Sequence, residues 1–138
     1  MAYWLFKTEP ETWSWDQQKR KGESGEPWSG VRNHQAANNM KAMKKGDWGF
    51  FYHSGEERRI VGIVEVIGEY RPDLSDGSGR FGMVVVKALR ELRKPVTLAE
   101  IKAAPKLQNM VLVKNSRLSV QPVAPAEWKI ICAMGGIG

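Results

Sequence analysis

Three stretches rich in Val, Ile, Phe, Trp and Tyr, at residues 47–54, 60–70 and 82–92, follow one another with only short polar breaks between them. β-Branched and aromatic side chains fit a pleated, half-buried surface, so the three runs predict consecutive, antiparallel strands. Whatever else the chain forms must pack on that sheet. Residues 3–7, Tyr-Trp-Leu-Phe-Lys, read as a buried first strand that ends at Thr8-Glu9-Pro10. Residues 117–122 alternate through Leu118 and Val120 to Pro122, which marks an edge strand because proline donates no hydrogen bond.

Helix signals fall between these runs. Ser14 and Gln17 form a capping box that starts a short helix ending near Gly22, and Thr97 and Glu100 form a second one before Pro105. Residues 35–45 carry Met40 and Met43 at helical spacing and stop at Gly46. Pro125 and Glu127 open a last helix that stops at Gly135-Gly136. Residues 22–30 hold three glycines and Pro27 and read as a loop. Residues 71–80, with Pro72, Asp73, Asp76, Gly77 and Gly79, read as a mobile hairpin connection or interaction loop. The order is strand, helix, helix, three strands, helix, strand, helix, which predicts an α+β domain with a mixed or barrel-like sheet.

At 138 residues, 42% hydrophobic and 26% charged, the chain is sized for one domain spanning 1–138, with no disordered or coiled-coil character. A single cysteine, Cys132, excludes an intramolecular disulfide, and with two histidines it leaves no thiolate zinc set. No apolar run approaches the roughly 20 residues that cross a bilayer, and the N-terminus lacks the marks of a signal peptide. A cytosolic, membrane-free protein without metal or cofactor is the expectation. The formal net charge is +6, and its excess lies mainly in residues 101–138, where Lys102, Lys106, Lys114, Arg117 and Lys129 face one acidic residue, Glu127. A basic surface attracts phosphate but also serves solubility.

Four constellations could carry chemistry. Five of the six tryptophans, Trp4, Trp13, Trp15, Trp28 and Trp48, fall in the first 48 residues. Trp4, Trp15 and Trp48 sit in strand or helix patterns and read as core. Trp28, between Pro27 and Ser29-Gly30, has no periodic face, so core packing and ligand stacking both stand open. In residues 29–39, Arg32, Asn33, Gln35, Asn38 and Asn39 offer the paired donors and acceptors that match a base edge, although Asn33 equally suits a helix cap. His53 and Ser54 lie at a strand end without a nucleophile elbow, so a hydrogen-bonding role is favoured over hydrolysis. Lys114-Asn115-Ser116-Arg117 brackets small polar residues with two cations, as a phosphate grip or a solvated loop.

Taken together, several motifs resemble the EVE domain family. They are Trp4-Leu5-Phe6-Lys7-Thr8-Glu9-Pro10, Trp13-Ser14-Trp15-Asp16, Trp28-Ser29-Gly30-Val31-Arg32-Asn33, Gly46-Asp47, Phe51-Tyr52-His53-Ser54, Leu112-Val113-Lys114 and residues 116–123. The likeness runs in order from Trp4 to about Trp128, with His34 where an aromatic such as Tyr is at least as frequent. It implies a PUA-like fold, a twisted and mostly antiparallel β-pseudobarrel surrounded by short helices. It also implies a module that binds DNA or RNA carrying a modified base, namely methylated or hydroxymethylated cytosine or N6-methyladenine, and a monomer is the expectation. The base pocket would draw on Trp28, Val31, Asn33, His53, Ser54 and Ser116, and Lys7, Arg32, Lys114 and Arg117 would meet phosphates. No catalytic residue is implied by this reading.

Two rivals come from other classes. Relatives in the ASCH group are small amidohydrolases on modified nucleosides that use Lys, Thr and Glu, and this chain has Lys7, Thr8 and Glu9. Consecutive strand residues alternate faces, which counts against a shared pocket for the three. The other rival is an RNA or protein interaction module without base selectivity, whose affinity would be governed by salt.

Overall fold

The computed structural model describes residues 1–137. Six strands form one sheet: β1 (Tyr3–Thr8), β2 (Glu26–Trp28), β3 (Trp48–His53), β4 (Arg59–Pro72), β5 (Gly82–Thr97) and β6 (Val120–Val123). Five short helices surround it among the described residues: α1 (Trp15–Arg20), α2 (His34–Ala42), α3 (Leu98–Ala103), α4 (Val111–Lys114) and α5 (Pro125–Met134). None is long and apolar enough to cross a membrane.

Strand order across the sheet is β2-β5-β4-β3-β1-β6. The meander β3-β4-β5 is antiparallel, as the sequence predicts, and β6 is an edge strand on β1. One pairing is parallel: β1 lies beside β3, with Leu5 opposite Phe50. Parallel neighbours need a long crossover, and residues 9–47 supply it. That crossover holds α1, β2 and α2, so the β1-to-β3 connection is also what delivers Trp28 to the far edge of the sheet. Asp47 ties down its end by accepting hydrogen bonds from the Trp4 indole at 3.0 Å, the Lys44 amide at 3.0 Å and the Ala2 amide at 3.2 Å.

Both faces of the sheet are buried, which explains why its strands read as nearly unbroken apolar runs rather than strict alternations. Trp4, Phe6, Phe51, Val64, Val66, Val84 and Val86 point to the concave side with Trp15, Trp28, Met40 and Leu118. Leu5, Phe50, Tyr52, Ile60 and Ile63 point to the other side, against Ile101, Leu107, Leu112, Trp128 and Ile131. There Trp128 stacks on Phe50 at 3.9 Å and on Tyr3 at 4.4 Å between ring centroids. Gly62 lets the Trp15 indole lie flat on β4, because a Cβ there would overlap the ring.

The sheet curls without closing. In the hydrogen-bonding order β2 is four strands from β1, roughly 19 Å on a flat sheet, yet the Trp28 and Phe6 rings are 5.2 Å apart. Four register shifts along β4 and β5, between Ile60 and Pro72, bend the long hairpin enough to bring the two ends of the sheet together. Edge strands β2 and β6 do not pair, so the pseudobarrel implied by the resemblance has an open seam.

Several boundaries differ from the sequence reading. β5 runs on past Leu92 to Thr97 because an irregularity opposite Ile60–Gly62 absorbs extra residues, and Pro95 is accommodated there. Residues 26–28 are strand rather than loop, since their partner is a distant segment of β5. Val111–Lys114, unmarked by any cap signal, forms α4.

Candidate nucleic-acid interface

The open seam is a cleft of about 400 Å³. One wall comes from β2 and the segment after it, with Glu26, Pro27, Trp28, Ser29, Gly30, Val31 and Arg32. The other comes from the end of β1 and its neighbours, with Lys7, Thr8, Thr12, Trp13 and Ser119. Two indoles, five hydroxyl- or ammonium-bearing side chains and one valine thus face one space.

Each wall has its own support. Trp28 is 8% exposed, and its ring meets Phe6 and Phe51 edge-on at 5.2 and 5.7 Å. The indole N–H of Trp13 donates to Gln18 Oε1 at 2.9 Å, and the fully buried Gln18 donates in turn to the Val86 carbonyl at 3.1 Å. Trp13 is half-buried, so its ring is oriented yet still reachable. Thr8 Oγ1 donates to the Trp13 carbonyl at 3.0 Å, which holds the two lining residues together.

The 29–32 segment is clamped from the 73–81 loop. Asp73, with a side chain 2% exposed, accepts from the Gly30 amide at 2.9 Å, the Ser75 amide at 2.9 Å, the Ser75 hydroxyl at 2.6 Å and Arg32 at 3.2 Å. Gly30 has φ +80°, a left-handed conformation that favours glycine and aims its N–H at this carboxylate. Burial alone would raise the Asp73 pKa, but the Ser75 hydroxyl, the two amides and the Arg32 guanidinium outweigh it and hold the carboxyl well below the usual range. The 71–80 connection is therefore pinned by its own acidic residues. Asp76 closes the rest of the loop by accepting from Ser78, Arg80 and Phe81, and Phe81 packs against the rings of His34 and, at 5.8 Å, under Arg32.

Lys7 lines the cleft from the end of β1. Its ammonium donates to the Ser116 carbonyl and sits 5.7 Å from the Tyr52 ring centroid, and burial lowers its pKa. The same residue, with Thr8 and Ser119, also lines a second cavity of about 400 Å³ that holds Glu9, Tyr52, Ser54, Arg58, Ser116 and Arg117. The strand ends at Thr8, so the pleat no longer separates the next residue, and Lys7, Thr8 and Glu9 all reach this second cavity. Beyond the strand end alternation no longer separates Glu9 from the two residues before it.

The residues expected at a base pocket are thus divided. Trp28 and Val31 line the cleft, and Arg32 lines it while its guanidinium is engaged by Asp73, by Ser75 at 3.1 Å and by the Val31 carbonyl. Ser54, Ser116 and Arg117 line the second cavity, joined to the cleft through Lys7. Asn33 does not line the cleft: its side-chain carbonyl caps α2 by accepting from the Ala36 amide at 2.9 Å. His53 is turned away to the α1 side, where it accepts from the Trp15 amide at 3.0 Å and meets Glu57 at 2.8 Å. Lys114, exposed at the end of α4, lines neither space. Trp13, Thr12 and Ser119 were not assigned to the base pocket from the sequence, and Thr8 entered only with the amidohydrolase rival. The tryptophan density near the N-terminus was the available signal for Trp13, whereas threonine and serine carry none.

The geometry has close counterparts. Protein Atu2648 from Agrobacterium tumefaciens superposes with a TM-score of 0.97 at 52% identity, over 99% of this chain and 94% of that one. Human THYN1 protein, in complex with 5-methylcytosine containing DNA, superposes with a TM-score of 0.93 at 31% identity, over 98% of each chain. Thymocyte nuclear protein 1 of Homo sapiens is 30% identical across 96% of this chain and 73% of the relative. The family model of the EVE domain matches residues 2–134, so the PUA-like sheet with its cleft at the seam is that of a member: the chain belongs to the EVE domain family.

Proposed function

We propose that the protein reads a modified base in nucleic acid, accepting the base out of its stack into the cleft between Trp13 and Trp28. The observation that carries this reading is the seam cleft itself, in which two positioned indoles and a set of hydroxyls line one space of about 400 Å³. Flat aromatic surfaces are worth about 1–3 kcal/mol per stacked base, enough to offset the few kcal/mol that unstacking costs when edge hydrogen bonds add to it. In this reading Thr8, Thr12 and Ser119 meet the base edge, Val31 offers apolar contact for a methyl group, and Lys7 and Arg117 meet phosphate. The human relative bound to 5-methylcytosine DNA supports methylated cytosine ahead of hydroxymethylcytosine or N6-methyladenine.

The test is titration of short oligonucleotides that differ only in one base. A buried methyl group in a fitted pocket is worth about 1–3 kcal/mol, so 5-methylcytosine should bind about tenfold tighter than cytosine, or more. Equal affinity for all bases sinks the reading in favour of a non-selective module. Trp13→Ala removes a half-exposed ring and is expected to weaken modified-base binding by about 10- to 100-fold, with about 1–3 kcal/mol of stability lost as the buried Gln18 carbonyl gives up its donor.

One observation favours a second reading. Lys7, Thr8 and Glu9 share the second cavity, the residue types of an amidohydrolase on modified nucleosides. Turnover of an N4-acylated cytidine that disappears in Lys7→Ala would select it.

A further inference from the structure

Beside the cleft, the second cavity is strongly and asymmetrically charged. Lys7, Arg58 and Arg117 line it, against one carboxylate, Glu9. Among the described residues neither Arg58 nor Arg117 takes part in an ion pair, although the next residue in the chain, Arg59, is paired with Glu57 at 3.0 Å. Ser54 and Ser116 add hydroxyls to the lining, and the Ser54 amide is already used, bonded to the Thr8 carbonyl at 2.9 Å.

Arg58 is also the one described non-glycine residue with positive φ, at +44°. Residues with a Cβ rarely adopt that conformation. Its carbonyl accepts from the Leu98 amide at 2.8 Å, so the backbone is fixed there by the start of α3. A glycine or asparagine would occupy the position with less strain, so its backbone offers no reason for an arginine. Its place in the lining of a cavity that Arg117 also lines gives that reason.

We propose that this cavity is a phosphate-holding site, gripped by Arg58 and Arg117, that takes the backbone phosphate of the nucleotide next to the one in the cleft. Guanidinium forks match the oxygens of a phosphate in pairs, and serine hydroxyls donate to the remaining oxygen. Lys7 is common to both spaces and measures the step between base and phosphate. The identity of the phosphate as a nucleic-acid backbone rests on the function proposed above, whereas the site's chemistry does not.

The experiment has two arms. Inorganic phosphate is titrated into the wild-type protein and followed by amide chemical shifts, then into Arg58→Gly and Arg117→Gln. Shifts should concentrate at Ser54, Gly55, Arg58 and Ser116, and each variant should bind phosphate about 3- to 10-fold more weakly. The thermal midpoint of Arg58→Gly should hold or rise, since glycine accepts the left-handed backbone. In the second arm, the slope of log affinity for an oligonucleotide against log salt should fall by about one in each variant. Shifts spread equally over Lys102, Lys106 and Lys129, or full phosphate affinity in both variants, overturn the site. Salt slopes unchanged in both variants overturn its assignment to the nucleic-acid backbone. Localised phosphate binding together with equal affinity for cytosine and 5-methylcytosine leaves this site standing and sinks only the base-reading function.

Discussion

Trp28→Ala should lower the stability of the protein by about 3–5 kcal/mol, the range for removing a large aromatic from a packed core. The ring is 8% exposed and sits edge-on to Phe6 and Phe51, so its loss empties the point where the two ends of the curled sheet touch. Chemical denaturation should show a lower midpoint with little change in slope if the fold is kept. Loss of nucleic-acid binding is expected as well, but it would come from collapse of the seam. Trp28→Phe keeps the apolar contact and should recover much of the stability. Trp13→Ala is the variant that isolates stacking, because its ring lies half-buried on the opposite wall.

Asp73→Ala should cost about 1–3 kcal/mol and abolish high-affinity binding, because it strands the Gly30 and Ser75 amides, which have no other acceptor in the clamp. The Gly30 amide, the Ser75 amide and hydroxyl, and Arg32 all lose their acceptor. The 29–32 wall of the cleft is then tied to the 73–81 loop only through Arg32, by its bond to Ser75 and its contact with Phe81. The same carboxylate makes the clamp sensitive to acid. Its pKa in the folded state is depressed, so its stabilising contribution is present above about pH 4, the unfolded value, and is lost as pH falls toward the folded one. Denaturation midpoints measured from pH 6 down to pH 2 should fall. Asp73→Asn should flatten that fall without removing it, since Asp76, at about 2 through its bonds with Ser78 and Phe81, titrates in the same loop.

Local signals carried much of this fold. The Ser14–Gln17 and Thr97–Glu100 boxes are both formed, because each needs only residues three apart and the chemistry of their side chains. The β3-β4-β5 meander followed from β-branched and aromatic runs joined by short connections. Segments whose structure depends on a distant partner were not legible. Residues 26–28 have the composition of a loop and become β2 by pairing with Val84, Val85 and Val86. The parallel β1–β3 contact likewise has no local mark.

The site divided along the same line. Asn33 was open between cap and reader, and the cap prevails, since an amide one residue before a helix finds its partner locally whatever the tertiary fold. His53, the last residue of β3, turns to Trp15 and Glu57, whereas Ser54, just past the strand end, lines the second cavity. By itself the sequence determined a basic, tryptophan-rich α+β chain with the motifs of its family. Only the tertiary structure decided that the sheet stays unclosed at β2 and β6. Curling through the bulges of β4 and β5 is a sum of many small backbone bends, and no residue encodes it alone. That seam puts Trp13 across from Trp28 and sets Lys7 between the two cavities.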